Sequence, residues 1–126
     1  MNALPHVLVA EDNELVCEAM RVLFGETGHR VSTAGHVAEI LDIMESDPVD
    51  LLLLDLGLAD GDGFDVLALM REREVTARIM VALTGREEPD IIARCKEEGC
   101  AAVLLKPVPA RDLLRQAREW LGNPPS

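Results

Sequence analysis

The sequence predicts an α/β fold, a parallel β-sheet with helices on both faces, and three observations predict it. Five short apolar runs recur along the chain, most of them continuous rather than alternating, which marks strands buried on both faces. A helix-period pattern follows each run, and βα alternation implies a doubly wound sheet. Five such units are too few for an eight-stranded barrel.

The first run is Val7-Leu8-Val9-Ala10, and Leu15, Val16, Ala19, Met20 and Leu23 follow it at helix spacing, with Gly25 or Gly28 placed to end that helix. The second run is Arg30-Val31-Ser32-Thr33-Ala34, followed by Val37, Ile40, Leu41 and Met44 at i, i+3, i+4, i+7, after which Pro48 forbids continuation. The third is Leu51-Leu52-Leu53-Leu54, with Phe64, Leu67, Ala68 and Met70 carrying the next helix. Leucines alone could equally be helical; the shortness of the run and the polar residues on both sides decide for a strand. The fourth run is Ile79-Met80-Val81-Ala82-Leu83, followed by Ile91, Ile92 and Cys95 with Gly99 as a cap. The fifth is Ala101-Ala102-Val103-Leu104-Leu105, and Leu113, Leu114, Ala117, Trp120 and Leu121 carry the last helix. Right-handed crossovers restrict such a chain to a few topologies.

Size and charge narrow the function classes. With 126 residues the chain has one domain's length, so residues 1–126 are expected to form one domain, with a core over about 5–121 and residues 122–126 as a tail or linker stub. Hydrophobic residues at 48% and charged residues at 28% indicate a globular chain, and aromatics at 2% require an aliphatic core. A formal net charge of -11 disfavours nucleic acid and anionic membrane surfaces and attracts cations and basic proteins, although acidity also serves solubility alone. Cys17, Cys95 and Cys100 match no zinc spacing and fit a reducing compartment, with Cys17 and Cys95 expected as buried small hydrophobes inside helices. The N-terminal MNALPHVLVAED has no signal-peptide pattern and no run reaches the length of a membrane span, so a cytoplasmic protein is expected.

In doubly wound sheets ligands bind beyond the C-terminal strand ends. Here those ends carry Glu11-Asp12, Asp55, Thr84 and Lys106-Pro107, while the second strand ends in Gly35-His36. An acid after a strand can simply cap the next helix, and a lysine there can simply be solvated. All four at one rim point to shared chemistry. Three converging carboxylates, Glu11, Asp12 and Asp55, repel one another unless a hard divalent cation with oxygen ligands joins them. Mg²⁺ fits that donor set, with Mn²⁺ as a substitute. Asp55 could then attack phosphorus through a carboxylate oxygen, Lys106 supply positive charge and Thr84 a hydroxyl to the phosphoryl oxygens.

On these motifs (Glu11-Asp12, LLLLDLGLADGDGFDVL around Asp55, LTG ending in Thr84-Gly85, and LLKP ending in Lys106-Pro107) the chain resembles the receiver domain of two-component response regulators, from about Pro5 to Leu121. The resemblance implies a flavodoxin-like (βα)5 sandwich with strand order 2-1-3-4-5. It implies a non-enzymatic phosphoacceptor that assists its own phosphorylation and dephosphorylation, taking phosphate onto Asp55 from a histidine kinase or phosphotransfer protein. It further implies metal ligation by Asp12, Asp55 and the Gly57 carbonyl with Glu11 helping, phosphoryl contacts from Thr84 and Lys106, and a cis peptide bond before Pro107. A donor helix would dock near Asn13, Val16 and Met20, and a homodimer or output contact would use the fourth helix, fifth strand and fifth helix. A receiver cut from a hybrid histidine kinase and a pseudo-receiver binding module are the alternative readings.

Two departures stand out. Val103 occupies the position three before Lys106 where the family usually carries an aromatic, so switching by an inward-turning ring is not available. Ala59 stands where a proline is common. Gly57 leaves the approach to the phosphoryl group open, which predicts a short-lived phosphorylated state. A magnesium-dependent phosphatase of the haloacid dehalogenase type would need a second acid two residues after its nucleophile, where this chain has Gly57. Asp60-Gly61-Asp62-Gly63 has the composition of a calcium loop, but Phe64 stands at the third ligand position, so a turn is expected. His6, His29 and His36 form no metal set and are expected at the surface or at strand edges. Arg71-Glu72-Arg73-Glu74, Arg111, Arg115 and Arg118 are expected to face water, and Trp120 to pack in the core.

Overall fold

The computed structural model describes residues 4–58, 61–86 and 88–122. The expectations for Ala59, for Asp60 and for residues 123–126 lie outside the described residues. The chain runs β1 (His6–Ala10), α1 (Glu14–Glu26), β2 (Arg30–Ala34), α2 (Val37–Ser46), β3 (Leu51–Asp55), β4 (Gly57–Leu58), β5 (Gly61–Asp62), α3 (Gly63–Arg73), β6 (Ile79–Thr84), α4 (Pro89–Glu97), β7 (Ala102–Leu105) and α5 (Ala110–Leu121). Five strands form one parallel sheet in the order β2-β1-β3-β6-β7, the flavodoxin-like order expected. The short β4 and β5 make a separate antiparallel ladder that the apolar pattern did not signal.

The continuous apolar runs divide their side chains between the two faces, because successive residues of a strand point to opposite sides. Leu8, Ala10, Leu52, Leu54 and Ala82 pack against Ile40, Leu41 and Met44 of α2, Val66, Leu67 and Met70 of α3, and Cys95 of α4. Val7, Val9, Leu51, Leu53, Val81 and Leu83 pack against Phe24 of α1 and Leu113 and Ala117 of α5, with Trp120 at the margin as expected. β1 and β3 are buried along their whole length, while the edge strands β2 and β7 are partly exposed. Cys17, Cys95 and Cys100 are buried free thiols.

Several local expectations are corrected. α1 buries Cys17 and Phe24, while Leu15 is 83% exposed and Ala19 also faces solvent. The stripe read from leucine and valine spacing was displaced around the helix because α1 lies against the sheet through the arc that holds its one phenylalanine. The same shift in α3 turns Val66 inward and Ala68 outward. Gly25 lies inside α1, and Gly28, at φ +84°, follows the helix end in the left-handed region that glycine tolerates. His6 and His29 are buried, where surface or strand-edge positions were expected, and His29 directly precedes the edge strand β2. His6 lies in central β1 and its ring nitrogens meet the Pro48 carbonyl at 2.9 Å and the Ser32 hydroxyl at 2.7 Å, so a polar ring is tolerated there because both nitrogens have partners. The His29 ring meets the Thr27 hydroxyl at 2.9 Å and sets its edge to Phe24.

Among the described residues no helix is long and apolar enough to cross a membrane. Arg71 to Glu74, Arg111, Arg115 and Arg118 are exposed, as charge patterning indicated.

Candidate functional site

Strand register brings the polar strand ends to one pole. Ala10 pairs with Leu54, so Glu11 and Asp55 leave adjacent strands at the same level. Asp55 pairs with Leu83, which puts Thr84 one step further along β6, and Thr84 pairs with Leu105, the residue before Lys106. Parallel pairing thus gathers residues from four strands with no contribution from β2. The Leu56 amide donates to the Leu83 carbonyl at 3.0 Å and the Lys106 amide to the Thr84 carbonyl at 2.7 Å, extending the ladder past Asp55 and Thr84.

Glu11, Asp12 and Asp55 each offer an oxygen within 4.8 Å of the others. Glu11 and Asp55 are each 5% exposed and Asp12 is open to solvent. Lys106 Nζ lies 3.0 Å from Asp55 Oδ2 and 3.6 Å from Glu11 Oε2. The Gly57 amide donates to Asp55 Oδ1 at 3.0 Å, so both oxygens of that carboxylate are engaged. Asn13 donates its amide to Glu11 Oε1 at 3.2 Å while its side chain caps α1 by accepting from the Leu15 and Val16 amides. Thr84 Oγ1 accepts from the Arg86 amide at 3.0 Å, so the hydroxyl's own proton is left to donate elsewhere. The Lys106–Pro107 bond is cis, as the resemblance implied.

Electrostatics follow this crowding. Burial first, then hydrogen bonding and repulsion from Asp55, push the Glu11 carboxyl up to about 7; the Asn13 amide and the Lys106 ammonium pull the other way and lose. Burial acts to lower the Lys106 pKa, but the hydrogen bond and charge of Asp55, with Glu11 behind it, outweigh burial and raise it above its ordinary value. Three hard oxygen donors, one of them reluctant to ionise, form a set that a small divalent cation suits.

Sequence reasoning missed the walls of the cleft over Asp55. Leu56, Asp62, Phe64, Arg86 and Ile91 line it together with Thr84 and Lys106. These residues lie in loops, in the short β5 or in first helical turns, where periodicity carries no signal. A glycine also shapes the rim: a Cβ on Gly35 would come within 3.2 Å of the Asp12 Cα, so the loop bearing Asp12 settles on bare backbone.

The family model of the response regulator receiver domain matches residues 7–118. The TorCAD operon transcriptional regulatory protein TorR of Escherichia coli O157:H7 is 30% identical over 116 residues, covering 92% of this chain and 50% of TorR. The sensory/regulatory protein RpfC of Xanthomonas campestris is 30% identical over 111 residues, 86% of this chain and 15% of RpfC. The chain therefore spans half or less of these relatives. The polar-differentiation response regulator DivK of Brucella ovis is 28% identical, with 93% of this chain and 96% of DivK covered. Among solved structures, a CheY-like receiver domain protein from Methanospirillum hungatei superposes with a TM-score of 0.85 at 25% identity, covering 94% of each chain.

Proposed function

The chain belongs to the response regulator receiver domain family of two-component systems, and on that premise we propose that Asp55 is the residue that takes the phosphoryl group, in a Mg²⁺-dependent reaction. The observation that carries this reading is the 3.0 Å pairing of Lys106 Nζ with an Asp55 carboxylate that shares its pole with Glu11 and Asp12.

Glu11, Asp12 and Asp55 would hold Mg²⁺ or Mn²⁺, with the Gly57 carbonyl as a further ligand. Bound there, the ion would neutralise the carboxylates and polarise the phosphoryl oxygens. An Asp55 oxygen attacks phosphorus, an O–P bond forms, and the P–N bond to the donor histidine breaks, the imidazole nitrogen keeping the electron pair and taking up a proton. Lys106 shifts its charge from the Asp55 carboxylate towards the arriving phosphoryl oxygens. Thr84 gives its free hydroxyl proton to another of them. Positioning and charge neutralisation are most of what such a transfer needs. In this reading the phosphodonor is a histidine kinase or phosphotransfer protein, the chain is a signalling module and not an enzyme acting on a separate substrate, and its place is the cytoplasm. Residues 5–121 act as one receiver unit. Relatives that include both DivK and RpfC support two settings, a stand-alone receiver or one segment of a larger sensor protein.

Incubation with acetyl phosphate and Mg²⁺ followed by intact mass measurement tests the reading. One added phosphoryl group is expected, lost in Asp55→Asn and without sustained release of free phosphate. Protein that never gains the group, or an Asp55→Asn variant that still gains it, overturns the assignment.

A further inference from the structure

The chain has two phenylalanines, one tryptophan and no tyrosine. Phe24 is fully buried in the cluster covered by α1 and α5, and Trp120 packs at the edge of that same cluster. Phe64 is on the other side of the sheet, half-buried against the cluster beneath α2, α3 and α4. It also lines the cleft over Asp55, beside Thr84 and Ile91. The Arg94 guanidinium carbon stands 4.0 Å from the centre of the Phe64 ring. Phe64 is in the first turn of α3 and Arg94 is in α4, so this cation–π contact joins the helix that leaves the phosphoacceptor loop to the helix that follows β6.

We propose that the Phe64–Arg94 contact is the link by which the phosphorylation state of Asp55 is passed to α4. The inference rests on the receiver reading and adds to it a route. Phosphorylation adds both negative charge and bulk to that cleft. Among the described residues Phe64 is the single aromatic ring on its wall, and Val103 of β7, packed against the same cluster, has neither ring nor hydroxyl to relocate. Phe64 forms part of the wall that a phosphoryl group on Asp55 meets, so the new group presses on the ring whose face holds Arg94. A ring that shifts either carries the Arg94 guanidinium with it or releases it, and the helix carrying Arg94 is biased accordingly. Ile91, on the same helix and on the cleft wall, repacks with it.

Amide hydrogen exchange across α4, with and without acetyl phosphate and Mg²⁺ and read per labelled molecule, tests the link. Wild type is expected to change exchange in α4 when Asp55 is labelled. Arg94→Gln and Phe64→Leu are expected to reduce that change at least threefold per labelled molecule, while Arg94→Lys, which keeps a cation over the ring, retains most of it. A full α4 response in both Arg94→Gln and Phe64→Leu overturns the link, as does a labelled wild type whose α4 does not respond. Wild type that takes no label overturns the phosphoacceptor role of Asp55 instead, and the absent mass increase identifies that case.

Discussion

Gly57 and Gly63 stand on either side of the loop that follows Asp55, and space forbids a side chain at Gly63 but not at Gly57. A Cβ on Gly63 would meet the Leu56 side chain at 2.5 Å and its Cα at 3.0 Å, so α3 can start where it does only without a side chain there. A Cβ on Gly57 would sit at an ordinary 3.9 Å from Asp55 Oδ1. A larger residue therefore fits at position 57 and overhangs the carboxylate. Gly57→Met is expected to slow autodephosphorylation several-fold by obstructing the water that attacks the acyl phosphate; an unchanged decay of labelled protein removes the argument. Asp55 and Lys106 were legible in the sequence because each directly follows an apolar run. Arg86, Phe64 and Ile91 were not, because they reach the same cleft from a loop and two helices whose relative placement no spacing encodes. His6 was misjudged because its partners, Pro48 and Ser32, are distant in the chain.

Helix boundaries were legible where local chemistry sets them. Asp62 accepts from the Asp65 amide and Asp65 accepts from the Asp62 amide, a capping box that starts α3 directly after β5. Asp62→Ala is expected to lower stability by about 1 kcal/mol, read from the urea midpoint; a midpoint equal to wild type shows that the cap does not hold the helix end. Which face of a helix turns inward is a different matter. α2 and α5 each present one apolar stripe, and that stripe is buried. α1 presents apolar residues around more than one arc, and only the sheet and α5 decide that Cys17 and Phe24 face inward while Leu15 does not.

Across the whole molecule, burial of Glu11 beside Asp55 couples stability to pH. In the metal-free protein the Glu11 carboxyl titrates near 7, against 4.5 as its ordinary value, so between those values the folded chain holds a proton that the unfolded chain has released. Stability is linked to that difference in bound protons and must fall as pH rises through the window. Thermal midpoints of metal-free protein are therefore expected to decline between pH 5 and pH 7, with a flatter profile in Glu11→Gln. Mg²⁺ is expected to raise the midpoint more at pH 7.5 than at pH 5.5, because the ionised carboxylate is the ligand. A wild-type profile parallel to that of Glu11→Gln removes the crowding argument.

By itself the sequence determined the alternation of strands and helices, the parallel sheet, and the four strand ends that carry Glu11-Asp12, Asp55, Thr84 and Lys106. These are properties of short segments, in which apolar runs, turn residues and the acid or base that follows act over a few positions. Tertiary structure decided the burial of His6, the inward arc of α1, and the cleft wall that sets Phe64 under Arg94. Each of those depends on which distant segment completes a contact, and that is settled only when the sheet closes and the helices dock on its two faces.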